Sequence, residues 1–304
     1  MNKKIACIDV GTNSITSVIA SNVKKKINII DENYQIVRLG EGIEKTKYIN
    51  NKAIERCISA FEIIKSNCIK HNVNEIVCVA TSALRDAKNS RNIIQLIKKR
   101  FNIQLSIIDG LKEAEIISLA AKYEFNLIKK KVLIFDIGGG STELIFVENN
   151  LTNKVYSYQI GTVRCTESFL CSHPPSSFEI NNFENYIDQI FRKLPNINIM
   201  EGIGIAGTIT TLASIKVKSN NYDSKLIHKS SLSLEEIINI KNKIIDLSLK
   251  QKRQIIGLDE KRAEVIIAGI IICIKIMQKY NLIKISVSDR GLRWGLLYQN
   301  LFNL

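Results

Sequence analysis

Short apolar runs and amphipathic stretches alternate along the chain, the pattern of an α/β protein. Residues 5–8 form an apolar strand that runs into Asp9-Val10-Gly11-Thr12-Asn13-Ser14. Residues 133–135 form another that runs into Asp136-Ile137-Gly138-Gly139-Gly140-Ser141. A second strand-like stretch follows each, at 15–20 and 142–147. Periodicity predicts helices over 52–68, 87–100, 112–123, 182–194, 235–249, 260–280 and 292–301, and strands over 75–80, 103–108 and 283–288. The two aspartates are 127 residues apart, and the small-residue turns Ala80-Thr81-Ser82 and Ala206-Gly207-Thr208 repeat at an offset of 126. Two echoes at nearly one offset predict two similar domains in tandem, 1–124 and 125–304, joined near 124–131. The closing helix, 291–304, is expected to pack back onto the first domain.

Composition narrows the class. Of 304 residues 45% are apolar and 24% charged, which is ordinary for a globular protein, and three prolines leave no room for proline-rich linkers. Lys and Arg number 43 against 29 Asp and Glu, a balance of +14. The 32 lysines and 11 arginines are spread along a chain also rich in Ile and Asn, so the charge reads as compositional drift. Aromatics are 7%, without the aromatic–basic interleaving that stacks bases, and no specific nucleic-acid partner is expected. The runs Lys24-Lys25-Lys26 and Lys129-Lys130-Lys131 read as solvated strand ends.

Seven cysteines without a Cys-x-x-Cys, and three histidines without metal spacing, argue against zinc and against a disulfide framework. Free buried thiols in a reducing cytoplasm are expected. Asp9 and Asn13 interrupt the N-terminal apolar run too early for a signal peptide. The longest apolar run, 265–274, is about half the ~20 residues of a membrane span and reads as a buried helix. The expectation is a cytoplasmic protein with no membrane partner.

The turns carry the candidate chemistry. Glycine-rich turns after strands let backbone N–H groups approach an anion, and Thr12, Asn13, Thr81, Ser82, Ser141, Thr142, Thr208 and Thr210 add side-chain donors. A carboxylate beside phosphate needs a cation between them, so Asp9 and Asp136 suggest Mg²⁺; the alternative is that each caps its own turn. No P-loop is present. Gly202-Ile203-Gly204-Ile205-Ala206-Gly207 matches a dinucleotide fingerprint only formally, because it is itself a predicted strand. Ser141 lacks the glycine of a nucleophile elbow.

These pieces together resemble the exopolyphosphatase/guanosine pentaphosphate phosphatase (Ppx/GppA) family, in its short form without a C-terminal helical extension. The matching segments are Asp9-Val10-Gly11-Thr12-Asn13-Ser14-Ile15, Leu39-Gly40-Glu41-Gly42 and Ala80-Thr81-Ser82-Ala83-Leu84-Arg85-Asp86-Ala87-Lys88-Asn89. They continue in family order with Asp136 to Leu144, Gly161-Thr162-Val163-Arg164, Ala206-Gly207-Thr208 and Asp289-Arg290-Gly291-Leu292-Arg293.

The resemblance implies two actin-like (ribonuclease H-like, ASKHA) domains and Mg²⁺-dependent hydrolysis of a terminal phosphate in an interdomain cleft. Inorganic polyphosphate is the expected substrate and pppGpp the alternative; a homodimer is left open. It implies a catalytic glutamate at Glu113, in Gly110-Leu111-Lys112-Glu113-Ala114, while Glu143, which matches the family motif, either orients a metal-bound water or faces solvent on its strand. The expected phosphate contacts are Gly11, Thr12, Asn13, Ser14, Arg85, Gly138, Gly139, Gly140, Ser141, Gly207 and Thr208, and the expected metal ligands are Asp136 and Asp9. From position alone, Glu113 could instead close a capping box with Gly110 as N-cap. Arg164, Arg290 and Arg293 either bind the phosphate chain or form ion pairs, and Trp294 is expected in the core.

Two residues depart from the family pattern. Thr16 stands where many members carry Arg, and Lys112 replaces the first glutamate, placing a cation beside Glu113. A weakly active binder of polyphosphate or nucleotide therefore remains an alternative. A sugar or acetate kinase on the same fold is disfavoured by Glu113 and the Arg85-Asp86-Ala87-Lys88-Asn89 segment.

Overall fold

A computed structural model describes residues 3–23, 26–219 and 221–302; Lys24 and Lys25 of the first lysine run lie outside the described residues. The described chain divides into two units: the residues before Glu124 with those from Leu292 on, and Glu124–Gly291.

In the first unit β1 (Lys4–Val10), β2 (Ser14–Val23) and β3 (Lys26–Ile36) form an antiparallel meander. Helices α1 (Ile43–Thr46) and α2 (Asn51–Lys70) lead to β4 (Glu75–Ala80), and α3 (Ser82–Asp86) and α4 (Ser90–Phe101) lead to β5 (Leu105–Ile107) and α5 (Gly110–Glu124). The sheet order is β3-β2-β1-β4-β5, with β4 parallel to β1 and β5 parallel to β4. Ala6, Ile8 and Val10 bury one face of β1 against the apolar stripe Ala53, Cys57, Ala60, Phe61 and Ile64 of α2.

The second unit repeats this wiring. β6 (Lys131–Ile137), β7 (Thr142–Glu148) and β8 (Leu151–Tyr158) form the meander, followed by α6 (Thr162–Phe169), α7 (Ser177–Phe191), β9 (Glu201–Ile205) and α8 (Ala206–Val217). Then come α9 (Ser224–Ile227), β10 (Ser231–Ser233), α10 (Leu234–Ile244), α11 (Leu249–Lys252), a 3₁₀ turn at Glu260–Arg262, α12 (Ile266–Lys279) and β11 (Lys284–Val287). The sheet order is β10-β11-β9-β6-β7-β8. The last helix, α13 (Leu292–Phe302), returns to the first unit and packs on β1 and β2, with Trp294 buried. The repeat extends to irregularities: the β2–β3 register shifts between Ile19 and Ala20, and the β7–β8 register shifts between Phe146 and Val147. These positions are again 127 residues apart.

The expected elements differ from the observed ones at identifiable points. β3 and β8 are edge strands, half-exposed and rich in polar residues, and give no alternating apolar signal. The helix expected over 87–100 begins only at Ser90, after Asn89, whose amide exchanges hydrogen bonds with the backbone of Ile49. The helix expected over 235–249 ends at Ile244, and Ser248 caps a new turn. The helix expected over 260–280 is split by the 3₁₀ turn, which Asp259 caps. The run 265–274 lies almost wholly in buried α12, and among the described residues no helix is long and apolar enough to cross a membrane. Six cysteines are free and buried; Cys171 is free but exposed. Lys131 opens β6 and pairs with Glu148, as a solvated strand end should.

Candidate active site

The sequence-selected residues gather at the carboxyl ends of the parallel strands in each unit, the end where α/β sheets bind ligands. After β1 and β6 the chain makes the same tight hairpin: the Gly11 N–H donates to Ser14 O at 3.0 Å, and the Gly138 N–H to Ser141 O at 3.0 Å. A second turn braces each hairpin. Thr12 O accepts from Gly40 N–H at 2.8 Å, and Asn13 O from Val37 and Arg38 N–H at 3.0 and 2.9 Å. Gly138 O accepts from Thr162 N–H at 2.9 Å, and Gly139 O from Val163 and Arg164 N–H at 2.9 and 3.2 Å. The approach is close enough to require glycine: a side chain on Gly161 would place its Cβ 2.4 Å from the Gly139 carbonyl oxygen. The N–H groups of Thr12, Asn13, Gly139 and Gly140 take no part in these bonds.

Several polar atoms in the first hairpin are buried without a partner: Asp9 Oδ1, Thr12 Oγ1, both amide atoms of Asn13, and Thr16 Oγ1. Native interiors satisfy nearly all such groups, so these atoms have hydrogen-bonding capacity to offer water or a ligand. Burial pushes the Asp9 carboxyl up to about 7, against the opposing pull of Arg293. Arg293 also pairs with Glu32 at 3.2 Å. In the second unit the rung that matches Asp9 and Thr16 holds two carboxylates, Asp136 opposite Glu143. Both are buried, and Glu143 Oε1 accepts from Ser157 Oγ at 2.8 Å.

The ends of β4 and β5 bring Arg85 and Glu113 together. Arg85 Nη1 donates to the Ile108 carbonyl at 3.0 Å and lies 3.5 Å from Glu113 Oε2. Their side chains are 20% and 11% exposed, so the pair is largely but not fully removed from water. The capping box that is the alternative reading of Glu113, with Gly110 as N-cap, does not form. Helix α5 already includes Gly110, and Asp109 Oδ1 accepts the Lys112 N–H at 2.8 Å, one residue out of step with the expectation. That shift places Glu113 in the fourth helical position. Lys112 turns outward to Glu115, with Nζ 2.8 Å from Oε2, so its close ionic partner is not Glu113.

The turn after β9 departs most from the sequence reading. Ala206 sits at φ 70, a left-handed conformation unusual for a residue with a side chain. Thr208 is buried, and a Cβ on Gly269 of α12 would lie 2.4 Å from its Oγ1. Thr210 Oγ1 donates back to the Ala206 carbonyl. The cation at this turn is Arg262: a Cβ on Gly207 would fall 2.0 Å from its Nη1. Sequence inspection missed Arg262 because it lies 55 residues from Gly207 inside an expected helix. Arg290 pairs with its sequence neighbour Asp289 at 3.2 Å.

The model of the Ppx/GppA phosphatase family matches residues 18–304. A bifunctional 3-dehydroquinate synthase/phosphatase of Fusobacterium nucleatum is 34% identical over 98% of this chain, which spans 46% of that protein's length. Exopolyphosphatase 2 of Mycobacterium tuberculosis is 29% identical over 88% of both chains. The crystal structure of an exopolyphosphatase from Cytophaga hutchinsonii superposes with a TM-score of 0.92 at 26% identity, covering 99% of both chains.

Proposed function

The chain belongs to the Ppx/GppA phosphatase family, with its two actin-like domains, and from that premise we propose that it hydrolyses the terminal phosphate of inorganic polyphosphate. The observation that carries this reading is the Arg85–Glu113 pair at the ends of β4 and β5. Glu113 orients a water and accepts its proton as the water oxygen attacks the terminal phosphorus in line. The anhydride P–O bond breaks, and the shortened chain leaves with the electron pair. Arg85 holds Glu113 in place and offers a planar donor to a phosphate oxygen. In the first unit the free N–H groups of the hairpin after β1, with Ser14, are phosphate donors; in the second unit those of the hairpin after β6 are, with Ser141 and the turn at Gly207 and Thr208.

The residues present fit Mg²⁺. Among the described residues no three His, Cys, Asp or Glu side chains form a ready-made cage. Mg²⁺ commonly keeps its waters and takes only one or two carboxylates beside substrate phosphates. In the second unit Asp136, with Glu143 across the rung, would hold it; in the first unit Asp9 Oδ1 is the carboxylate oxygen suited to a cation. When bound, the ion neutralises charge on the phosphates.

The test is phosphate release from long-chain polyphosphate and from pppGpp, with and without Mg²⁺, by wild type and Glu113→Gln. Mg²⁺-dependent release from polyphosphate is expected, falling about 100-fold or more in the variant. Release from pppGpp alone would make the protein a pentaphosphate phosphohydrolase. Binding of polyphosphate without release from either would make it a binding protein.

A further inference from the structure

One hairpin is braced by an arginine that the reaction scheme does not use, and the segment that braces the other is gripped by a second. In the second unit Arg164, in the first turn of α6, donates from Nε to the Gly140 carbonyl at 2.8 Å. With the backbone bonds to Gly138 and Gly139, three successive carbonyls are thereby tied to the α6 side. In the first unit Arg56 of α2 donates from Nε to Val37 O at 2.7 Å and from Nη2 to Glu41 Oε2 at 2.7 Å. The segment it grips is the one whose N–H groups take the carbonyls of Thr12 and Asn13. Asn50 adds a bond from Nδ2 to Glu41 O at 3.2 Å.

A trans peptide plane is rigid, and its carbonyl and the following N–H point in opposite directions. Tying the carbonyls of residues 138, 139 and 140 to α6 therefore turns the N–H groups of 139, 140 and 141 away from it. Tying those of residues 12 and 13 does the same for the N–H groups of 13 and 14.

We propose that Arg164, and one step further removed Arg56, are positioning residues for phosphoryl transfer: each fixes the peptide planes of a hairpin so that its N–H groups face the phosphate, without itself touching the phosphate. The inference rests on the reading of these hairpins as phosphate-binding. It gives the matched arginines a role in placing donors, where small misplacements are costly.

A substitution series at Arg164 separates this role from a direct charge contact. Gln carries a neutral N–H donor at the position of the arginine Nε; Lys keeps the charge but has a carbon there. Arg164→Gln, Arg164→Lys and Arg164→Met are compared by polyphosphate kinetics, by calorimetric binding of tripolyphosphate and by melting temperature. Lys and Met are expected to raise KM and the tripolyphosphate Kd about tenfold, and Gln only about threefold. The reverse order, with Lys sound and Gln impaired, would overturn the proposal in favour of a direct contact. Equal losses that track the melting temperature would overturn it in favour of a purely structural role. Should the wild type bind tripolyphosphate without hydrolysing polyphosphate, the hydrolase reading fails while the binding series still decides. A wild type that does neither removes the phosphate-binding reading and this inference together.

Discussion

Asp136 and Glu143 face each other across one rung of the β6–β7 ladder, both buried. Opposed carboxylates on a shared face repel unless a proton or a cation comes between them. The matching rung of the first unit holds Asp9 and Thr16, one carboxylate and one hydroxyl. The duplicated fold thus carries an unequal pair of rungs, and the second unit's is the one at which the proposed Mg²⁺ would relieve the greater repulsion.

Glu143→Gln removes one charge from that rung while keeping its shape. Mg²⁺-dependent phosphate release is expected to fall about 100-fold, and the metal-free protein to gain about 1 kcal/mol, the usual exchange of function for stability at a charged site. Melting curves with and without Mg²⁺ check the assignment. Mg²⁺ should raise the wild-type Tm more than that of the variant; an equal rise in both would place the ion elsewhere.

Asp9 gives a pH-dependent prediction. Its folded-state value of about 7 lies above the ordinary aspartate value because burial disfavours the carboxylate. The folded protein therefore binds the proton more tightly than the unfolded chain. That contribution to stability is full below about pH 4 and is lost as pH rises to about 7. Asp9→Asn has no such proton to lose. Relative to wild type without divalent cations, it should be near neutral at pH 4 and more stable by about 4 kcal/mol at pH 8. Urea midpoints at the two pH values measure this, and a pH-independent difference would count against a buried carboxylate at this position.

The repeat was legible because it is written in local chemistry. An apolar strand, Asp, an aliphatic residue and Gly appear at positions 9 and 136 in forms that short-range rules recognise. The second strands and their hairpins followed for the same reason. What brace the hairpins were not legible as a pair: Gly40 and Gly161 sit at a different offset, and each does its work by meeting a segment far away in sequence. Arg262 and Arg56 were missed likewise. An arginine in a helical pattern reads as a surface charge until the fold shows which carbonyl or glycine it lies against. The position of Glu113 in α5 turned on a single residue, because Asp109 competes with Gly110 for the cap and its carboxylate wins.

Two glycines, one in the turn after β9 and one in the segment that braces the second hairpin, separate stability from function. A Cβ on Gly207 would meet the tip of Arg262, a flexible side chain that can move aside. Gly207 lies in the first turn of α8, where alanine is intrinsically the better helix former. Gly207→Ala should therefore leave stability within about 0.5 kcal/mol of wild type while displacing the guanidinium from the turn. A Cβ on Gly161 would instead meet the Gly139 backbone at 2.4 Å, which can yield only by deforming the hairpin. Gly161→Ala should cost about 1–3 kcal/mol and raise KM for polyphosphate as the N–H groups lose their alignment. Denaturation and steady-state kinetics on both variants give the comparison. Gly207→Ala should lose activity with little loss of stability and Gly161→Ala should lose both; an active Gly207→Ala would mean that the Gly207 turn does not hold the substrate.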